Sequence, residues 1–212
     1  MNTTKTSKIR VAIEGAAGYT AGELLRILLF HPFAEVKYLH SDSNAGKPVY
    51  TVHKDLLGET DLVFSDIDYQ DTDVVFLCKG HGQSVLFMEQ NTLPAHVKVI
   101  DLSADFRDES HDFVYGLPEL QREKIKSSAF IANPGCFATS IELALLPLAA
   151  AGLLKNEVHI TSITGSTGAG QSPSETTHFS WRNNNVSVYK PFRHQHLKEI
   201  GICVTKLQPE FD

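Results

Sequence analysis

No other stretch constrains this chain's fold as tightly as IRVAIEGAAGYTAGELLRILL, residues 9 to 29. Its opening IRVAIE is a short, mostly apolar run of the kind a strand buried in a parallel sheet shows, and it stops at Gly15. From Ala21 the apolar residues fall at Ala21, Leu24, Leu25, Leu28 and Leu29, the i, i+3, i+4, i+7, i+8 stripe of an amphipathic helix, which His31-Pro32 stops. Strand, glycine turn and helix in this order open a βαβ unit.

The strand pattern returns in EVKYLHS (35 to 41), DVVFLC (73 to 78) and VKVIDLS (97 to 103), with a helix expected over 82 to 92 between the last two. Strands alternating with helices predict an α/β protein with a doubly wound parallel sheet of Rossmann type. After Ser103 the chain turns polar and turn-rich. FIAN then reads as a strand and FATSIELALLPLAAAGLL as a buried helix that Pro147 kinks or ends. VHITSITGS (158 to 166) and the remaining residues to Asp212 read as the opening of a second unit, so the expected division is a dinucleotide-binding domain over 1–134 and an incomplete α+β domain over 135–212.

Composition narrows the partners. Acidic residues number 25 against 19 basic, a net charge of −6, which argues against nucleic acid or an anionic membrane as the main partner. The three cysteines, Cys78, Cys136 and Cys203, are too few and too scattered for a disulfide framework or a metal site, and fit a reducing, cytoplasmic setting. The polar opening MNTTKTSK and the lack of any 18-residue apolar span predict a soluble chain without a targeting segment.

In the turn, Gly15 and Gly18 are spaced GxxG, and Tyr19 and Thr20 start the helix. Small residues there let backbone N–H groups approach a pyrophosphate at the helix's positive end. Spacing alone leaves a merely tight turn as the alternative; the clear βα context favours the nucleotide. The second strand ends in HSDSNAGK, where Asp42 speaks for NAD, and Ser41, Ser43 and Lys47 speak for NADP.

NPGCFATS sets Cys136 between a turn and a helix start, whose N–H groups favour a thiolate. Cys78 and Cys203 read instead as small buried hydrophobes. KPFRHQHLKEI concentrates His194, His196 and Glu199; one histidine suits acid/base work, and the other, with Arg193 and Lys190, anion binding. The pair lacks a third ligand at metal spacing, so no metal is expected. TGSTGAG, with Ser166 and Gly168, suits a phosphate contact. DLSADFR offers Arg107 to a carboxylate or phosphate, while Asp101 and Asp105 fix the loop. His31, His53 and His111 read as surface residues. These residues also suit a binding module without turnover, or a cysteine hydrolase using Cys136 and His196.

Taken in order across most of residues 8 to 201, EGAAGYTAGELLR, DLSADFR, YGLPEL, ANPGCFATS, GSTGAG and HQHLKEI resemble the N-acetyl-gamma-glutamyl-phosphate reductase family of arginine biosynthesis. Aspartate-semialdehyde dehydrogenase is a more distant relative. The resemblance implies NADPH-dependent reduction of an N-acyl-glutamyl 5-phosphate to the semialdehyde and phosphate through an enzyme thioester. It implies Cys136 as nucleophile, His196 as acid/base with His194 and Glu199 orienting it or the substrate, Asn133 at the oxyanion, and Arg107 and Arg193 offsetting substrate charge. His81 and Gly82 of KGHGQS would border the cofactor. Asp42 stands where the family usually carries arginine, which keeps NAD(H) open beside NADP(H), and the acyl group is acetyl or succinyl. A homodimer or homotetramer is implied. Family chains run on well past position 212, so these residues are expected to lack their full support and to leave apolar surface exposed.

Overall fold

The computed structural model describes residues 7 to 211, so most of the polar opening MNTTKTSK lies outside the described residues. The first expected strand forms as β1 (Ile9–Glu14); the glycine turn leads into α1 (Tyr19–Leu29), and the chain returns as β2 (Ala34–His40). β3 (Val74–Leu77), α2 (Gln83–Gln90) and β4 (Lys98–Asp101) come next. Then come β5 (Val114–Tyr115), α3 (Pro118–Ser127), β6 (Phe130–Ala132) and α4 (Cys136–Ala150). A four-residue α5 (Phe179–Arg182) precedes α6 (His196–Leu207). The strands form a six-stranded sheet in the order β2-β1-β3-β4-β6-β5, with every pairing parallel.

Alternation along β1 explains the helical layers. Val11 and Ile13 enter one core with Ala21, Leu25 and Leu28 of α1, while Ala12 enters another with Val75, Leu77, Val99 and Phe87 of α2. Each buried Val, Leu or Ile side chain among these contributes about 1.5–3 kcal/mol. β1 is flanked by β2 on one side and β3 on the other, so the winding reverses there and the carboxyl ends of β1 and β3 open the crevice where ligands of such sheets bind. The doubly wound parallel sheet expected from the sequence is present.

A third core joins Tyr115 and Leu117 to Ala138 and Leu146 of α4 and to Ile200, Cys203 and Val204 of α6. Residues on both sides of position 134 share it. Two elements of this region escaped the sequence reading: β5, whose two residues are too short to show a period, and α3, which starts on Pro118 with its φ already suited to a first turn. Pro147 lies inside α4, which ends three residues later, so its missing N–H falls in the last turn. The segment 157–165 lies outside any helix or strand and is exposed, with no strand pairing among the described residues. His53 corrects the surface reading: it is buried and its Nε2–H donates to the carbonyl of Ala16 at 2.8 Å. His31 and His111 are exposed as expected.

Candidate active site

β6 carries the chain to Asn133, whose N–H donates to the Asp101 carbonyl at the end of β4 at 2.7 Å. Pro134 and Gly135 then turn it into α4, where Cys136 is the first helical residue and is exposed. The N–H groups of that first turn have no partner four residues back within the helix, so charge developing on the sulfur lies at the positive end.

α6 delivers the partners. Its first residue, His196, lies so close to Gly135 that a Cβ added there would sit 2.4 Å from the histidine Nε2. Only glycine fits, and the imidazole thereby rests beside the residue that precedes the cysteine. Three residues on, Glu199 accepts the Gly135 N–H through Oε2 at 3.0 Å. One helical turn thus grips Gly135 at two points. His196 Nδ1 is buried without a partner among the described residues, and burial pushes His196 down to about 4. The positive Arg107 and the neighbouring His194 and His81 act in the same direction, while Glu199 opposes them. The imidazole is therefore neutral at pH 7.

Glu199 is itself held firmly. Its Oε1 accepts from Arg107 Nη1 at 2.9 Å and its Oε2 from the Tyr115 hydroxyl at 2.7 Å. Arg107 was expected to meet substrate, but it is buried, and its other N–H groups donate to the carbonyls of Asn133 and Leu102. It therefore fixes Glu199 and the turn before Cys136. Asn133 turns its side-chain amide to the Pro134 carbonyl at 3.0 Å. His194 packs on His196 with ring centroids 4.5 Å apart and accepts the His196 N–H, and burial lowers its pKa. Phe137 lies against both rings. Arg193 is exposed.

Across the crevice, Gly15 holds φ +73°, and a Cβ there would stand 2.7 Å from the Cys78 carbonyl oxygen, so the turn requires glycine. Behind it His53 wedges against Gly22, where a Cβ would meet the ring at 2.7 Å. Gly18 caps α1, and Tyr19 and Thr20 stand exposed in its first turn. Gln171 donates to the Ala17 carbonyl at 2.9 Å, which brings the turn at Ser166–Ala169, with Gly168, to the edge of the glycine turn. His81 accepts the Ala104 N–H, and Gly82 donates to Asp105, whose carboxylate also takes the N–H groups of Ser84 and Val85 at the start of α2. Asp101, buried and raised in pKa by that burial, accepts from Ser84 and Ser103. Both aspartates hold loops together.

At the end of β2, Ser41 accepts from Asn44, and Lys47 reaches the Ser43 carbonyl. The Asp42 side chain is 90% exposed and lies 3.8 Å from His40. A polar cavity of about 430 Å³ opens between the ends of β1 and β2 and helix α2, lined by Glu14, His40, Tyr69, Lys79, Gln83 and Phe87. Among the described residues no set of three His, Cys, Asp or Glu side chains is placed to hold a metal ion, and no helix is long and apolar enough to cross a membrane.

The sequence reading missed Gly135, Tyr115 and Glu142 as members of this site. Glu142, a lone acid within the nearly all-apolar α4, was the one visible signal.

Two family models match the chain in series: semialdehyde dehydrogenase, NAD binding domain, over residues 10–128, and semialdehyde dehydrogenase, dimerisation domain, over residues 136–210. Among curated proteins, N-acetyl-gamma-glutamyl-phosphate reductase of Flavobacterium johnsoniae is 54% identical over 210 residues, covering 96% of this chain and 65% of its own length. The Parabacteroides distasonis protein of the same name is 55% identical over 206 residues, covering 96% of this chain and 64% of its own. The chain thus spans a little under two thirds of these relatives. Among solved structures, aspartate semialdehyde dehydrogenase II of Vibrio cholerae complexed with ASA aligns with a TM-score of 0.54 at 23% identity, over 68% of this chain and 47% of that one. The Candida albicans aspartate semialdehyde dehydrogenase with NADP aligns at 0.53 and 20% identity, over 70% and 48%. These two share the fold. With a nucleotide-type sheet running directly into a cysteine helix, and with both family models matching in series along it, the chain belongs to the semialdehyde dehydrogenase family.

Proposed function

We propose that this chain carries the catalytic centre for NADPH-dependent reduction of N-acetyl-gamma-glutamyl phosphate to N-acetyl-glutamate 5-semialdehyde and phosphate. The observation that carries the reading is the two-point grip of α6 on Gly135, which sets a neutral imidazole beside a helix-start cysteine.

Residues of the crevice fit the dinucleotide. The Gly15 cradle, which any Cβ would fill, leaves the Gly18 turn and the start of α1 open to a pyrophosphate, and the polar cavity beside Glu14 and Lys79 has room for the adenosine end. Ser41, Ser43 and Lys47 are placed for a 2′-phosphate, and the exposed Asp42 can turn to solvent; NADP(H) is accordingly the cofactor proposed. When bound, the reduced nicotinamide supplies the hydride that takes the thioester to the aldehyde.

His196 takes the Cys136 thiol proton. The sulfur attacks the acyl carbon; a C–S bond forms, the C–O bond to phosphate breaks, and phosphate leaves with the bonding pair. The open N–H groups of the α4 first turn face the charge on the carbonyl oxygen. Protonated His196 then gives its proton to that oxygen as the thioester is reduced, and C–S cleavage frees the aldehyde and restores the thiol. Arg193, exposed and next in sequence to His194, is the residue we assign to substrate charge. Assembly as a homo-oligomer through the second domain, with the division at 134/135, belongs to the same reading and is supported by the dimerisation-domain match; a cytoplasmic location is part of the proposal as well.

The test is phosphate-dependent oxidation of N-acetyl-glutamate 5-semialdehyde with NADP or NAD, on this chain and on the version extended to its relatives' length. Cys136→Ser should lower turnover at least about a thousandfold with cofactor binding retained. Wild-type turnover in that variant would overturn the assignment.

A further inference from the structure

Behind Glu199 lies a second buried carboxylate that the proposed chemistry does not use. Glu142, on the inner face of α4, is fully buried, and both its oxygens lie 3.0 Å from the Tyr115 hydroxyl oxygen. That hydroxyl also meets Glu199 Oε2 at 2.7 Å. One phenol therefore faces two acids with a single proton to donate. Its shortest contact, to Glu199, takes that proton. The remaining contact then requires Glu142 to be the donor: a protonated carboxyl pointing its O–H at the phenol oxygen.

We propose that Glu142 is a positioning residue for the acid/base centre: as the neutral acid it keeps the Tyr115 hydroxyl directed at Glu199, and its ionisation draws that proton away and loosens the hold of Glu199 beside His196. The inference rests on the reading of His196 as the acid/base group.

The groups facing Glu142 come from three elements besides its own. Tyr115 belongs to β5, Arg107 to the loop after β4, and Glu199 and Cys203 to α6. Cys203 neighbours Glu142 and bears on its charge, while Glu109 and Lys206 lie further out and act on Cys203. With two acids and one guanidinium in this buried group, a second negative charge is poorly matched. Burial pushes Glu142 up to about 7, and Tyr115 and Cys203 are raised as well, so neither of those takes over the proton-losing role.

The experiment tracks side-chain NMR of the Glu142 carboxyl and the His196 ring from acid to mildly alkaline pH in the full chain, comparing wild type, Glu142→Gln and Tyr115→Phe. In the wild type the Glu142 carboxyl should titrate near neutrality, with a second inflection at the same pH in the His196 signals. Glu142→Gln, whose amide donates to Tyr115 at every pH, should lose that inflection. Tyr115→Phe should keep the Glu142 titration and lose its echo at His196. A Glu142 carboxyl ionised throughout, or identical His196 curves in all three proteins, would overturn the inference. The rate of Cys136 alkylation by iodoacetamide against pH gives a second readout, expected to lose one limb in Glu142→Gln. Neither measurement needs turnover, so an inactive wild type would defeat the functional reading while the titrations still decide the coupling.

Discussion

Among the glycines, Gly135 has the closest neighbour to where a Cβ would stand, the His196 ring. A methyl group there would collide with His196, so Gly135→Ala must push the imidazole aside or swing α6 outward. Turnover should fall by about a hundredfold, as when catalytic geometry slips by an ångström, while the far-UV circular dichroism and the dinucleotide affinity stay near wild type. Loss of cofactor binding alongside turnover would instead indicate collapse of the whole crevice. Glu199→Ala should be costlier to the fold, because it strands the buried Arg107 guanidinium; breaking such a pair costs about 3–5 kcal/mol, read as a lower denaturation midpoint.

Two buried groups give the fold a pH dependence. Glu142 has its native pKa raised from 4.5 to about 7, so the folded state holds its proton more tightly; this contribution is complete below 4.5 and is lost as pH rises through 7. His196 is lowered from 6.5 to about 4, so the unfolded chain binds its proton first, and stability falls as pH drops from 6.5 towards 4. Denaturant titrations across this range should show Glu142→Gln flattening the neutral side of the stability curve and His196→Gln flattening the acid side. Identical curves for all three proteins would contradict both assignments.

Among the elements, β1, the glycine turn and α1 were the most legible, because their period and punctuation are local. Leu25 belongs to that stripe and is fully buried against β1; Leu25→Ala should cost about 2–5 kcal/mol, measured by equilibrium unfolding. β3, β4 and α2 were read to within a few residues for the same reason. What escaped was tertiary. Nothing in YGLPEL announces that Tyr115 will bridge two acids, since its partners lie 27 and 84 residues away. His53 looked like a loop histidine because the feature that buries it, the bare backbone at Gly22, lies across space. Arg107 reads from sequence as a substrate contact, because its charged partner Glu199 comes from α6, 92 residues on. The candidate residues themselves are recognisable by type, whereas the contacts that support them, such as Tyr115 on Glu199, are encoded by no spacing.

For the whole molecule, the sheet and its helices bury three cores, yet residues 157–192 carry little apolar burial. Ile163, Val186 and Phe192 are more than nine-tenths exposed, and Phe179 and Val188 more than three-quarters. Patches of this kind mark association or aggregation surfaces. Sedimentation velocity should reveal concentration-dependent association of the 212-residue chain, with binding of a hydrophobic dye that falls as the surface is covered. A monodisperse monomer that binds no dye at high concentration would speak against this.

The grip of α6 on Gly135 also makes the proposed catalytic centre discrete. His196 and Glu199 stand three residues apart on one helix, one meeting the glycine at its α-carbon and the other at its N–H. Rotating α6 by a single residue turns its side chains through about 100° and advances them about 1.5 Å. No such step preserves either contact, so partly engaged arrangements have nothing to rest on. Imidazole and carboxylate are therefore set by one and the same helical turn, as two teeth of a latch are, so a shift of α6 displaces both together.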